Sequence, residues 1–128
     1  MPQTYKTSVI TSQAPAAIGP YSQGIDTGDL IFTSGQIPID PANGHVATDI
    51  VQAARQGLNN IKAVLEEAGS GLDKVVKITV YLKDMADFKA MNEVYATYFQ
   101  QPFPARSCVQ VAGLPLDALV EFEAIALK

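Results

Sequence analysis

The sequence predicts an α+β fold in which a mixed β-sheet is covered on one face by two helices. Two observations carry this expectation. Asp49 to Ala68 and Asp84 to about Phe99 space their apolar residues as helices do, and they are interleaved with short apolar or alternating stretches rich in β-branched residues. The 128 residues, 48% hydrophobic and 17% charged, show no composition break and no internal repeat, which fits one domain over residues 1–128 with a single core.

The elements follow in order. The N-terminal arm, with Pro15, Gly19 and Pro20, reads as irregular. Leu30-Ile31-Phe32-Thr33-Ser34 reads as a strand ended near Gly35, and Ile39-Asp40-Pro41-Ala42-Asn43-Gly44 as a turn. Asp49 is placed to cap the first helix, with Gln52 completing a capping-box pattern. Ile50, Ala54, Leu58, Ile61 and Leu65 recur at helical spacing, and Gly69 and Gly71 stop the helix. Val75 to Leu82 alternates, with Val76, Ile78, Val80 and Leu82 expected on one face and Lys77, Thr79 and Tyr81 on the other. Asp84 caps a second helix that carries Phe88, Met91, Tyr95 and Phe99 on one side, and Pro102 and Pro104 end its path. Ser107 to Val111 and Val120 to Leu127 are the last two strands, read as a hairpin across Leu114-Pro115-Leu116-Asp117. So short a chain has no third layer for the far face of the sheet, and self-association is the simplest cover.

Composition excludes several classes. A net charge of -4 with 9 Lys plus Arg disfavours a large phosphate-binding surface, so nucleic acid is not an expected partner. One cysteine allows no internal disulfide and fits a reducing compartment. No apolar run is long enough to cross a bilayer, and Met1-Pro2-Gln3-Thr4-Tyr5-Lys6 lacks the pattern of a signal peptide. The expectation is a soluble cytoplasmic protein. Gly19-x-x-x-x-Gly24 is followed by Ile25-Asp26 and has no phosphate-loop chemistry, and Gly69-Ser70-Gly71 follows a helix instead of opening one. No metal or cofactor site can be argued: His45 lies in a turn, far in sequence from Cys108.

The candidate chemistry lies where ionisable or polar side chains interrupt apolar runs. Arg106, Cys108 and Gln110 share one face of a strand, and Arg106 offers a planar fork of donors suited to a carboxylate. The competing reading is an internal salt bridge to Glu121 or Glu123, two carboxylates sharing one face of the last strand. A buried glutamate is raised toward neutral pH and can relay protons. Cys108 has no adjacent histidine, so a buried small hydrophobe is expected there, not a nucleophile. Tyr21 can wall a pocket, Ser34 at a strand end can receive an anion, and Asn92 can meet a substrate or cap a loop.

Taken together, ordered segments resemble the RidA family, also called the YjgF/YER057c/UK114 family, of reactive enamine/imine intermediate deaminases. They are Ala17-Ile18-Gly19-Pro20-Tyr21-Ser22-Gln23, Ser34-Gly35-Gln36-Ile37-Pro38, Arg55-Gln56-x-Leu58-x-Asn60-Ile61 and Val80-Tyr81-Leu82-Lys83-Asp84-Met85. Phe88-x-x-Met91-Asn92-x-x-Tyr95, Pro104-Ala105-Arg106-Ser107-Cys108-Val109 and Leu114-Pro115 before Glu121-Phe122-Glu123-Ala124-Ile125-Ala126 complete the set. The resemblance covers residues 10–128. It implies a chorismate-mutase-like (YjgF-like) fold and a homotrimer whose sheets form a closed central barrel, with sites in clefts between subunits. It implies a hydrolase of the 2-iminobutanoate/2-iminopropanoate deaminase type, turning 2-aminoacrylate and related 2-imino acids into 2-oxo acids and ammonia with no cofactor. By resemblance Arg106 clamps the substrate carboxylate, Glu121 stands near the attacking water, the Cys108 carbonyl helps hold that water, and Tyr21, Ser34 and Asn92 line the pocket. Gly113 departs from the charged residue that the best-known members tend to carry before Leu-Pro. The alternatives are a non-catalytic, chaperone-like trimer that binds small metabolites, and a translation-inhibiting endoribonuclease.

Overall fold

The computed structural model describes residues 5–128, so the opening residues of the N-terminal reading, Met1-Pro2-Gln3-Thr4, lie outside it. Strands β1 (Thr7–Val9), β2 (Gly24–Asp26), β3 (Leu30–Thr33), β4 (Val75–Leu82), β5 (Ala105–Gln110) and β6 (Val120–Leu127) form one sheet, with helices α1 (Ile50–Glu67) and α2 (Phe88–Tyr95). The strand order is β1-β2-β3-β6-β4-β5. Only β4 and β5 are parallel. A parallel pair cannot be joined by a tight turn, and α2 lies within their crossover.

The expected mixed sheet under two helices is present, but the closed barrel is not. The sheet is open, with β1 and β5 as its opposite edges and four strands between them. Closure needs edge strands that meet in register, and three-residue β1 has no such partner in β5.

Helix α1 forms as its sequence dictates. The Asp49 carboxylate accepts from the Gln52 N–H at 3.0 Å. Gly69, at φ +83°, closes the other end in the left-handed conformation, with its N–H donating to Glu66 O and that of Ser70 to Leu65 O. Ala54, Leu58, Ile61 and Leu65 are buried against Ile31, Val80, Phe122 and Ala126 of the sheet. Asn60 is also fully buried on this helix. Its amide donates to Ile37 O and Ile39 O, and its oxygen accepts from Gln56, so the loop after β3 is strapped to α1.

Three expectations change. The second helix begins as a single 3-10 turn, Met85–Asp87, capped by Asp84, and α2 proper ends at Tyr95. In β4, Val76 is 42% exposed and Val75 is buried, because a bulge between Val75 and Lys77 reverses the first residue of the alternation. Strands β5 and β6 do not form a hairpin. Both pair with β4, one on each side, and residues 111–119 wrap around its end through Val111 N–H to Leu82 O, Lys83 N–H to Leu119 O and a 2.8 Å Lys83–Asp117 ion pair.

Candidate active site

The register of β4 decides which side chains share a face. Ile78 lies opposite Arg106 and Ala124, and Val80 opposite Cys108 and Phe122. These residues face the helices, since Ile78, Val80, Phe122 and Ala124 are buried there. Tyr81 lies opposite Val109 and Glu121, and Thr79 opposite Ser107 and Glu123, on the other face. Arg106 and Glu121 are therefore on opposite faces. They are two strand spacings and three residues apart, about 14 Å between Cα atoms. Neither Glu121 nor Glu123 can pair with Arg106 inside one chain, which removes the internal salt bridge.

On the helix face, Arg106 is half-buried, and its Nη1 donates to Asn92 Oδ1 at 2.6 Å. Its Cζ lies 4.6 Å from the Tyr95 ring centroid and 5.6 Å from that of Phe88. Among the described residues it has no acidic partner; the ion pairs are Lys83–Asp117 and Lys128–Asp26. Asn92 thus touches Arg106, where the sequence suggested a substrate or a loop. Cys108, on the same strand face, packs against the core, and burial pushes its thiol upward despite the opposing charge of Arg106. A thiol held protonated is a poor nucleophile.

On the other face, Glu121 sits over Gly35. A Cβ at position 35 would meet the Glu121 carboxylate carbon and Oε2 at 2.7 Å, so only glycine leaves the carboxylate its place. The segment is aligned by a two-way bridge, Gln36 N–H to Phe122 O and Phe122 N–H to Gln36 O. Burial, and secondarily the charge of Glu123, raises the Glu121 carboxyl above its ordinary value. The Tyr81 hydroxyl donates to Glu123 Oε1 at 2.6 Å, and this bond to a carboxylate is the main cause that pushes the phenol up to about 12. A cleft of about 610 Å³ opens beside Glu121, walled by Tyr21, Gly35, Ile37, Ile39 and Leu116.

Tyr21 is 50% exposed on that wall. Ser34 is less free than expected: its hydroxyl donates to Ser22 O and its N–H to Gln23 O, so it keeps only acceptor lone pairs for a ligand. Buried Gln23 holds the arm behind Tyr21, taking the Thr11 N–H and donating to Thr11 O, Ala14 O and Pro15 O. His45 lies in its turn as expected, and a side chain at Gly113 would meet open space. One chain therefore brings together Arg106, Asn92 and Cys108 on one face and Tyr21 and Glu121 at the cleft on the other, while Ser34, next to Gly35, is held by Ser22 and Gln23 and does not line that cleft. Sequence reasoning missed Gly35 as the floor of Glu121 and Tyr81 as the partner of Glu123. The second was signalled by Tyr81 alternating with Lys77 and Thr79.

No helix among the described residues is long and apolar enough to cross a membrane, and no group of three or more His, Cys, Asp or Glu side chains is gathered for a metal. The chain is 51% identical to the 2-iminobutanoate/2-iminopropanoate deaminase of Salmonella typhimurium, over 94% of this chain and 97% of that one. It is 54% identical to a RutC family protein of Pyrococcus abyssi, over 96% and 98% of the two chains. The crystal structure of Escherichia coli TdcF with bound serine superposes with a TM-score of 0.93 at 47% identity, covering 96% of this chain and 99% of that one. The family model described as Endoribonuclease L-PSP matches residues 11–128. On these matches and on the segments that carry Arg106 and Glu121, the chain belongs to the RidA/YjgF family.

Proposed function

We propose that this protein is a hydrolytic deaminase of reactive enamine/imine acids, 2-aminoacrylate and 2-iminopropionate among them, releasing a 2-oxo acid and ammonia. The observation that carries the reading is Arg106, a half-buried guanidinium with an amide and two aromatic rings around it but no acidic partner among the described residues. Such a group calls for an anion from outside, and a planar carboxylate fits its fork. The family relatives named as 2-imino acid deaminases supply the chemistry.

The imine carbon is already electrophilic, so the protein has to orient the substrate and move protons. Arg106 anchors the carboxylate. Glu121 and the Cys108 carbonyl hold one water. The water oxygen bonds to the imine carbon, the C=N π pair moves to nitrogen, and Glu121 takes the water proton and passes it to that nitrogen. The carbinolamine then collapses: Glu121 takes the hydroxyl proton and delivers it to the amine nitrogen, the C–N bond breaks with its electron pair leaving on nitrogen, and ammonia departs as the ketone C=O forms. A Glu121 raised by burial is suited to both halves of that relay. The single free thiol and the metabolic origin of such imines point to the cytoplasm.

The two half-sites lie on opposite faces of one sheet, so the complete site takes Arg106, Asn92 and Cys108 from one copy and Tyr21 and Glu121 from the next. The assembly proposed is a homotrimer with its sites between subunits. A solution mass below three chains at micromolar concentration would count against it.

Steady-state hydrolysis of enzymatically generated imines tests the reaction. Arg106→Ala should lose about 2–5 kcal/mol of transition-state binding, and Arg106→Lys should remain weak because lysine lacks the fork. A folded R106A protein with normal activity would refute the anchor. Co-refolding R106A with E121Q chains tests the shared site: random trimers would regain about a quarter of wild-type activity, because each interface draws its two residues independently. No regain would place both residues in the same subunit.

A further inference from the structure

We infer that one face of α2 is a cradle that aims the Arg106 guanidinium, with Phe88 and Tyr95 as positioning residues for the carboxylate anchor. The inference rests on the reading of Arg106 given above. Phe88, Asn92 and Tyr95 stand four and three residues apart, so they form one stripe of the helix. Both ring centroids lie within the roughly 6 Å reach of a cation–π contact to the guanidinium, at 5.6 and 4.6 Å. The rings constrain where the charged plane can lie, and the Asn92 amide takes one N–H and fixes its rotation. That leaves four of the five guanidinium donors free for a ligand. A long side chain ordered before the substrate arrives avoids the entropy cost of ordering it on binding.

Tyr95 makes the case specific. Its hydroxyl is the one buried side-chain polar atom without a hydrogen-bond partner among the described residues. Among those residues the phenol oxygen makes no hydrogen bond, so what the position supplies to Arg106 there is the ring face. That ring is itself held by stacking on Phe99, with centroids 4.5 Å apart. If Phe88 and Tyr95 served only as core filling, leucine would do nearly as well, since it preserves apolar packing but has no π face.

The test measures kcat, KM and Tm of the full-length protein with imines generated in situ. Tyr95→Leu and Phe88→Leu should each raise KM about three- to tenfold with kcat changed less than twofold. Tyr95→Phe should restore the wild-type KM and keep or raise Tm, because it removes the unpaired hydroxyl and keeps the ring. Met91→Ala serves as the core control: Met91 is fully buried on the same helix, so Tm should fall while KM stays. The cradle is overturned if Y95L and F88L keep a wild-type KM, whatever their Tm, while R106A raises it. A wild-type KM in R106A overturns the anchor reading itself, and the cradle falls with it.

Discussion

Replacing Gly35 by alanine strikes the Glu121 carboxylate first. The new Cβ would lie 2.7 Å from Glu121 Cδ and Oε2 and 3.0 Å from Oε1. Comfortable contact begins near 3.5 Å, so the carboxylate must retreat by about 0.8 Å. The backbone adds no penalty, since the glycines at positive φ are Gly28, Gly44 and Gly69. Stability should stay within about 1 kcal/mol, because the clash is with the far end of a flexible side chain and alanine reduces the freedom of the unfolded chain. Catalysis is less forgiving. A displacement near 1 Å of a group that positions the attacking water costs on the order of 100-fold, or about 2.7 kcal/mol. KM should hold, because Arg106 belongs to the other half-site. Imine hydrolysis at saturating substrate, alongside thermal unfolding, measures both effects. Wild-type kcat in a G35A protein of unchanged Tm would refute the placement of Glu121 at the water.

Glu123→Gln removes the negative charge that helps raise Glu121 while keeping an acceptor for Tyr81, so the acid limb of the pH–kcat profile should move to lower pH. A limb that stays in place would deny the coupling. Because burial raises Glu121, its ionised form is the less stable one in the fold, and stability from this group is present in acid and lost as pH rises through its folded value. The Tm of Glu121→Gln relative to wild type should therefore improve from acid to neutral pH, and a constant difference would contradict the burial cause. Cys108→Ser should keep substantial activity, since burial pushes the thiol up and the proposed mechanism uses only the main-chain carbonyl at 108; a thiol adduct trapped with substrate would contradict this. Gly57→Ala should lower Tm: its Cβ would meet the buried Phe122 ring at 2.7 Å, and the cost of about 1–3 kcal/mol exceeds the gain in helix propensity.

The parts of the fold legible in the sequence are those with a long period. Eighteen residues of α1 and eight each of β4 and β6 give enough repeats to fix their type. Strands β1 and β2 have three residues each, too few for any period, and they exist because β1 pairs with β2 and β2 with β3. The bulge at Val75 was equally hidden, since a one-residue slip depends on the partner strand and not on the strand's own pattern. Asn60 sat in a run of apolar helix positions, and its reason lies in two carbonyls more than twenty residues away.

The candidate residues themselves were legible, because a guanidinium and two carboxylates in apolar strands stand out. Their mutual geometry was not. Reading residues 107–127 as a hairpin made an Arg106–Glu121 or Arg106–Glu123 ion pair conceivable. The order strand, helix, strand in β4, α2 and β5 already argues for a parallel pair, but that β6 takes the other side of β4 and leaves β5 as an edge shows only in the structure. Once β4 stands between them, alternation puts Arg106 under α2 and Glu121 on the opposite face. Each is then a half-buried ionisable group without a counter-ion among the described residues. The fold supplies Arg106 with ring faces and an amide oxygen, and Glu121 with a glycine floor, but these do not neutralise a charge. Desolvating either group is unfavourable until something complementary arrives. In the proposed mechanism that is an anion from outside the chain for Arg106 and a proton for Glu121, which are the two things an imino acid and its attacking water bring.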